Sequence, residues 1–98
     1  MKLSFNPRVN RDVADAADWY DTRREGLGDD FYQEVEAMLE QILDNPKGFP
    51  FGSNSTEIRK ASLRRFPFGI LYRQSSESIR VLCVRHNKRH PHYGTNRK

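Results

Sequence analysis

The sequence contains little cysteine and no long apolar run. Its 98 residues include one cysteine, Cys83, which rules out an internal disulfide framework and fits a reducing compartment. No segment approaches the roughly 20 consecutive apolar residues of a membrane-spanning helix, and the N-terminal residues lack the apolar core of a signal peptide. We therefore expect a cytoplasmic protein that does not enter a membrane.

Acidic residues are scarce in the C-terminal part of the chain. Residues 57–98 hold eleven Lys and Arg residues and only two acids, a net charge of +9, whereas residues 1–56 hold six basic and eleven acidic residues, a net charge of −5. Such an excess of cationic side chains attracts polyanions or an acidic protein. The sequence therefore favours nucleic acid, or an acidic protein partner, as the ligand of the C-terminal part.

The length and the aromatic content predict one small folded domain. A chain of this length buries about two thirds of its unfolded surface, which is enough for a single small core. Eleven aromatic residues argue against intrinsic disorder. We expect a single domain over residues 1–98, with residues 94–98 as a flexible tail.

The first half of the chain predicts a short strand followed by two helices. Residues 3–5 alternate apolar and polar side chains, as in a strand, and Asn6-Pro7 is typical of a helix start. The break at residues 26–28 separates two helices, and Asn45-Pro46 ends the second. Apolar residues recur at helical spacing in both: Val9, Val13, Ala16, Ala17 and Tyr20 in the first, and Phe31, Val35, Met38, Leu39 and Ile42 in the second. Because the link is so short, the helices form an antiparallel hairpin.

The second half predicts a β-meander. Residues 46–56 have the composition of an irregular connection, and three runs rich in β-branched or aromatic residues follow, at about 58–65, 68–74 and 78–86. In the last run, simple alternation places Ile79, Val81 and Cys83 on one face and Leu82 and Val84 on the other. We predict an α+β fold of order β-α-α-β-β-β, with the helical hairpin packed on one face of an antiparallel sheet and the first strand at an edge. The other face should be partly open and lined by basic residues.

Several segments in this order resemble the RelE/ParE superfamily of toxins from type II toxin–antitoxin, or plasmid-stabilisation, modules. They are Trp19-Tyr20, the run from Gly26 to Phe31, Asn45-Pro46, the run from Leu63 to Arg73 and the run from Val84 to Tyr93. The resemblance implies a protein that arrests growth when free. It also implies a cognate acidic antitoxin that neutralises the toxin in a hetero-oligomeric complex.

The superfamily contains two activities on one fold, and the fold does not choose between them. ParE-like members inhibit DNA gyrase by binding, whereas RelE-like members cut messenger RNA on the ribosome. The helical hairpin, the run from Arg65 to Phe68 and the run from Arg85 to Pro91 look more like the ParE-like branch. The scarcity of lysine also favours it, because RelE-like enzymes resemble one another in clustered lysines and here Lys47 and Lys60 are the only lysines between Lys2 and Lys88. We therefore expect a gyrase-binding toxin, with the endonuclease as the alternative.

If the protein is a nuclease, four residues are candidates for its chemistry. Metal-free attack by a 2′-hydroxyl needs an acid, a base and cations on the transition state. Arg65 and Arg85 are candidate cations, His86 a candidate acid or base and Tyr93 a stacking or proton-donating group. The alternative is that the arginines contact antitoxin or solvent and that His86 is an ordinary residue at a strand end.

The basic residues of the second half are candidates for contact with the antitoxin or with nucleic acid: Arg59, Lys60, Arg64, Arg65, Arg73, Arg85, Lys88 and Arg89. The spacing of His86, His90 and His92 superficially suits a metal ion, but no cysteine or acid stands nearby to complete such a site. We expect neither a metal nor a cofactor.

Overall fold

The computed structural model describes residues 1–52 and 55–98 and has two layers, a helical hairpin and a four-stranded sheet. The elements are β1 (Lys2–Phe5), α1 (Val9–Arg23), α2 (Leu27–Asp44), β2 (Ile58–Ser62), β3 (Phe68–Gln74) and β4 (Ser78–His86), with a 3-10 turn over Pro46–Gly48 after α2. The predicted order and the α+β class are confirmed. None of the helices in the described ranges is long and apolar enough to cross a membrane.

The sheet is mixed, with strand order β1-β4-β3-β2. β3 runs antiparallel to both β2 and β4, whereas β1, which lies at an edge as predicted, runs parallel to β4. The expectation of a wholly antiparallel sheet is therefore wrong for this one pair. The reason is topological: between β1 and β2 the chain crosses the domain in α1, in α2 and in an extended segment whose Phe51 pairs antiparallel with Arg59. After these three crossings the chain enters β2 in the same direction as β1, and β4 also runs in this direction.

The hairpin forms where the sequence analysis places it. The Oδ1 atom of Asn6 accepts the backbone N–H of Arg8 at 2.9 Å, so this side chain closes the turn that leads into α1. Gly26 has φ +86°, a left-handed conformation that favours glycine, and α2 begins at the next residue. At Gly28 the helices approach so closely that a Cβ atom would lie 2.6 Å from the carbonyl oxygen of Ala17.

The main core lies between the helices and the sheet, and a β-bulge decides which residues of β4 face it. Leu71 pairs with Cys83 and Tyr72 pairs with Val81, so Leu82 is an extra residue in β4. Ile79, Val81 and Val84 all join the helix-side core, whereas Leu82 and Cys83 form a second cluster with Ile58 and Leu71. The simple alternation expected for this strand therefore holds through Leu82 and is wrong for Cys83 and Val84.

Residues 87–98 are here called the C-terminal segment. They fold back at the C-terminal end of β4 onto the face of the sheet that is opposite the helices. A Cβ atom on Gly94 would lie 2.6 Å from the Sγ atom of Cys83. Arg97 forms an ion pair with Asp12 of α1 at 2.7 Å, and both side chains are less than a tenth exposed. The structure places residues 94–98 against the domain, where Arg97 pairs with a buried carboxylate, and the expectation of a flexible tail over these residues stays a prediction.

Candidate functional site

Arg85 is an internal residue rather than a surface cation. Its side chain extends from β4 under the C-terminal segment, and the residue is only 6% exposed. The Nη1 group donates to the carbonyl oxygens of Pro91 and Tyr93, both at 2.8 Å, and of His90 at 3.3 Å. Burial lowers the pKa of this guanidinium. Arg85 therefore holds the loop of the C-terminal segment in place.

Arg65 lies in the β2–β3 turn and is attached to α2. Its Nη2 atom is 3.4 Å from Oδ2 of Asp30, and the backbone N–H groups of Arg64 and Arg65 donate to Oε1 of Glu34 at 2.7 and 2.6 Å. Because two carboxylates already face it, Arg65 acts within the domain as a link between the turn and α2. It does not line the cleft that contains the other candidate nuclease residues.

The other three candidates line one cleft of about 220 Å³, here called the histidine cleft. The Nδ1 atom of His86 accepts the backbone N–H of Lys88 at 3.0 Å, which assigns the proton of the neutral ring to Nε2. The guanidinium of Arg89 lies 4.5 Å from the centroid of the Tyr93 ring. The full lining is Asp12, Asp15, Ala16, Phe68, Val84, Arg85, His86, Arg89 and Tyr93.

The acids in this cleft affect what it can bind. Asp12 is neutralised by Arg97, but the carboxylate of Asp15 is largely exposed and lies 4.0 Å from Arg11. A phosphodiester in the cleft would meet this carboxylate as well as Arg89. The cleft therefore offers less positive potential than its sequence suggests.

The structure separates the eight basic residues expected to bind antitoxin or nucleic acid. Arg64 and Arg65 occupy the β2–β3 turn, Lys88 and Arg89 the C-terminal segment, and Arg59 and Arg73 the opposite end of the sheet, near the β3–β4 turn. Lys60 is half-buried, and the pKa of its ammonium group is lowered by burial and then by the charge of Arg85. The predicted set does not form one continuous surface.

Near the β3–β4 turn, Arg59 and Arg73 line a groove of about 510 Å³, here called the arginine groove. It is lined by Phe51, Thr56, Glu57, Arg59, Arg73, Gln74, Ser75, Ser78 and Arg80. Arg73 and Arg80 are direct partners across β3 and β4. Sequence reasoning missed Arg80, because only the strand register, with Gln74 opposite Ile79, places it directly across from Arg73.

A second groove, of about 340 Å³, is apolar. Phe5, Val9, Val13, Val35, Leu39, Val81 and Val84 line it together with Asn6, Pro7 and Asn10. Val35 is buried, as the helical periodicity predicts, but Leu39 forms part of the open wall and is only half-buried.

The histidines of the C-terminal segment contact each other rather than forming a site with acids. The rings of His90 and His92 are 5.2 Å apart, and Nδ1 of His90 accepts the backbone N–H of His92 at 3.2 Å. Within residues 1–52 and 55–98 there is no group of three or more His, Cys, Asp or Glu side chains that could hold a metal ion.

With this geometry established, comparison with known proteins decides the family. The model of the ParE toxin of the type II toxin–antitoxin system parDE matches residues 3–91. The chain belongs to this family. This match confirms the resemblance to the ParE-like branch and assigns the chain as the toxin of a toxin–antitoxin system.

A solved structure has the same fold. A chain of the chromosomal ParDE TA system from P. aeruginosa superposes with a TM-score of 0.67 at 20% sequence identity, over 88% of this chain and 95% of that chain. At this identity the match concerns the fold alone. A search of curated proteins finds no match to the ParE-family chain described here.

Proposed function

We propose that this ParE toxin arrests growth by binding DNA gyrase, without chemistry of its own, and that a cognate acidic antitoxin neutralises it. Both proposed partners are cytoplasmic, so the toxin acts there, and retention of the gene pair would stabilise a plasmid that carries it. Membership of the ParE family supports the toxin role. A binding mechanism, rather than catalysis, is supported by the contacts that the candidate nuclease residues Arg65 and Arg85 make within the domain.

The observation that carries this choice is the bonding of Arg85. Stabilising a phosphorane-like transition state requires cations aimed at the developing charge. The Nη1 group of Arg85 is directed at three backbone carbonyls of the C-terminal segment, and Arg65 is directed at Asp30 and Glu34. Arg65 is therefore not placed to neutralise a phosphate beside His86, and Arg85, although it lines the same cleft, has its Nη1 group bonded to the chain itself.

Antitoxin binding is supported by charge. The C-terminal part of the chain carries a net charge of +9, and its exposed cations lie at three places on the surface. An acidic segment that wraps around the toxin would meet each of them in turn. The resulting complex would be a hetero-oligomer of toxin and antitoxin.

The ribosome-dependent endonuclease is the second candidate, and one observation favours it. His86, Arg89 and Tyr93 share the histidine cleft, so a proton-transfer group and a cation do lie together. Because Asp15 lines the same cleft, we rank this function below gyrase binding.

Purified toxin tested in two parallel assays distinguishes the candidates: gyrase supercoiling of relaxed plasmid, and cleavage of messenger RNA on programmed ribosomes. We expect supercoiling to be inhibited, the RNA to stay intact, and His86→Ala and Tyr93→Phe to retain inhibition. Ribosome-dependent cleavage that falls by roughly 10²–10⁴ in His86→Ala would instead establish the endonuclease. Inactivity in both assays would contradict both proposals.

A further inference from the structure

The arginine groove carries more positive charge than its surroundings neutralise. Three guanidinium groups line it, from Arg59, Arg73 and Arg80, against a single carboxylate among the described lining residues, that of Glu57. Arg73 and Glu57 form an ion pair at 2.8 Å. Among the Asp and Glu side chains of residues 1–52 and 55–98, none forms an ion pair with Arg59 or Arg80.

The pairing of β3 with β4 makes this excess of positive charge unfavourable. Arg73 and Arg80 face each other across β3 and β4, and like charges directly opposite one another on a sheet repel. Elsewhere in the domain two arginines form ion pairs with acids: Arg97 with Asp12, and Arg65 with Asp30. A carboxylate brought between Arg73 and Arg80 would remove the repulsion.

The existing contacts hold the three guanidinium groups in place. Arg59 donates to the carbonyl oxygen of Phe49 at 2.6 Å and stacks 4.0 Å from the centroid of the Phe51 ring. Arg80 donates to the backbone oxygen of Lys98 at 3.3 Å. Because each arginine has five N–H groups, these contacts leave further donors for a ligand. A preorganised set of donors binds carboxylates at a lower entropic cost.

We infer that the arginine groove binds an acidic peptide segment in which at least two carboxylates flank an apolar side chain. The carboxylates would pair with Arg59 and Arg80, and the apolar side chain would cover the half-exposed ring of Phe51. Resting on the proposed function, we assign this segment to the antitoxin. A peptide suits the groove better than nucleic acid, because closely spaced phosphates would be forced against Glu57.

The peptide segment cannot bind by adding a strand to the β2 edge of the sheet. On the outer side of β2, the carbonyl oxygen of Ile58 accepts the N–H of Gly52 at 2.8 Å, and the N–H of Lys60 donates to the carbonyl oxygen of Pro50 at 2.9 Å. The edge of β2 is therefore already occupied by the chain itself. Recognition in the groove must come from side chains, which makes it sensitive to the loss of single arginines.

The first test uses a synthetic Glu-Glu-Phe-Glu-Glu peptide and ¹⁵N-labelled toxin. Titration should shift the backbone amide signals of Thr56, Ser75 and Ser78, and leave that of Arg64, at the opposite end of the sheet, unchanged. An oligothymidylate of matched charge should produce weaker shifts at these amides. Shifts confined to other surfaces, or stronger binding of the oligonucleotide in the groove, would overturn the inference.

The second test uses calorimetry with the acidic protein encoded beside the toxin gene. A hydrogen bond to a charged group is worth about tenfold in affinity, so Arg59→Gln and Arg80→Gln should each weaken binding by about that factor. Arg11→Gln removes the same charge from the exposed face of α1, outside the three groups of cations, and should change the affinity less than about twofold. Binding that is unchanged in the groove variants refutes the inference but leaves the proposed function intact. Groove shifts with the peptide, combined with a neighbouring protein that does not bind, support the groove and refute the proposed neutralisation.

Discussion

The ion pair between Asp12 and Arg97 should be one of the largest single contributions of polar groups to stability in this domain. Two bonds join the side chains, Nη1 to Oδ2 at 2.7 Å and Nη2 to Oδ1 at 3.2 Å. Both groups also bond to β4: Oδ2 of Asp12 accepts the N–H of Val84 at 3.1 Å, and Nη1 of Arg97 donates to the carbonyl oxygen of Leu82 at 3.1 Å. The pair therefore caps the edge of β4 beyond the point where β1 ends.

The expected magnitude follows from these contacts. Removing one partner of a buried ion pair leaves the other charge without compensation, which typically costs about 3–5 kcal/mol. Asp12→Ala also leaves the N–H of Val84 without its acceptor, so it should lie at the upper end of that range. A loss of 3 kcal/mol lowers the melting temperature of a domain of this size by about 12 °C or more.

The assay is urea unfolding of Asp12→Ala, Arg97→Ala and the double variant, followed by circular dichroism. The double variant should be more stable than the sum of the two single losses predicts, with a coupling of about 1–3 kcal/mol. The control is Asp15→Ala on the same helix, because Asp15 and Arg11 form an exposed pair at 4.0 Å, which should contribute no more than about 0.5 kcal/mol. Additive losses, or a cost for Arg97→Ala as small as the control, would show that the C-terminal segment is not held by this pair.

Three further predictions concern the core and can be measured by chemical denaturation. Ile42→Ala should cost about 2–5 kcal/mol because the side chain is fully buried, whereas Leu39→Ala, in the open wall of the apolar groove, should cost clearly less; equal losses would contradict this difference in burial. Burial raises the pKa of the Cys83 thiol to about 11. The stability that the neutral thiol contributes should therefore be intact below pH 9 and lost as the pH rises towards 11, and Cys83→Ala should reduce this loss. An identical pH dependence of stability in the two proteins would refute the prediction. Gly28→Ala should destabilise the hairpin by about 1–3 kcal/mol, because the new methyl group would collide with the carbonyl oxygen of Ala17, and a neutral result would show that the helices can separate.

The elements that the sequence predicts well are those fixed by local signals. The helical hairpin follows from a 3.6-residue apolar period, the Asn6-Pro7 start and the break around Gly26, and each of these acts over a few residues. The β-meander is predicted for the same reason. The bulge at Leu82 is not, because a single inserted residue leaves the apolar run of β4 unchanged while it reverses which face the later residues occupy.

The features of the candidate site that sequence reasoning missed depend on contacts between distant residues. Arg97 is 85 positions from Asp12, and nothing near it in the chain indicates a buried partner. Arg85 looks like a surface cation in a basic run, but it lies under a loop whose carbonyl oxygens it binds. A charged residue is exposed, as its polarity predicts, only when the fold places no complementary group close enough to bind it.

These internal contacts change what the charge distribution means for partner binding. Part of the attraction between the acidic and basic parts of the chain is already satisfied within the toxin, by Arg97 with Asp12 and by Arg65 with Asp30. The positive charge left for a partner is therefore smaller than +9 and more localised. In the arginine groove, three arginines face a single carboxylate among the described lining residues. Substitution of arginines one at a time should separate two classes: those whose loss lowers stability, and those whose loss lowers affinity for the antitoxin at unchanged stability.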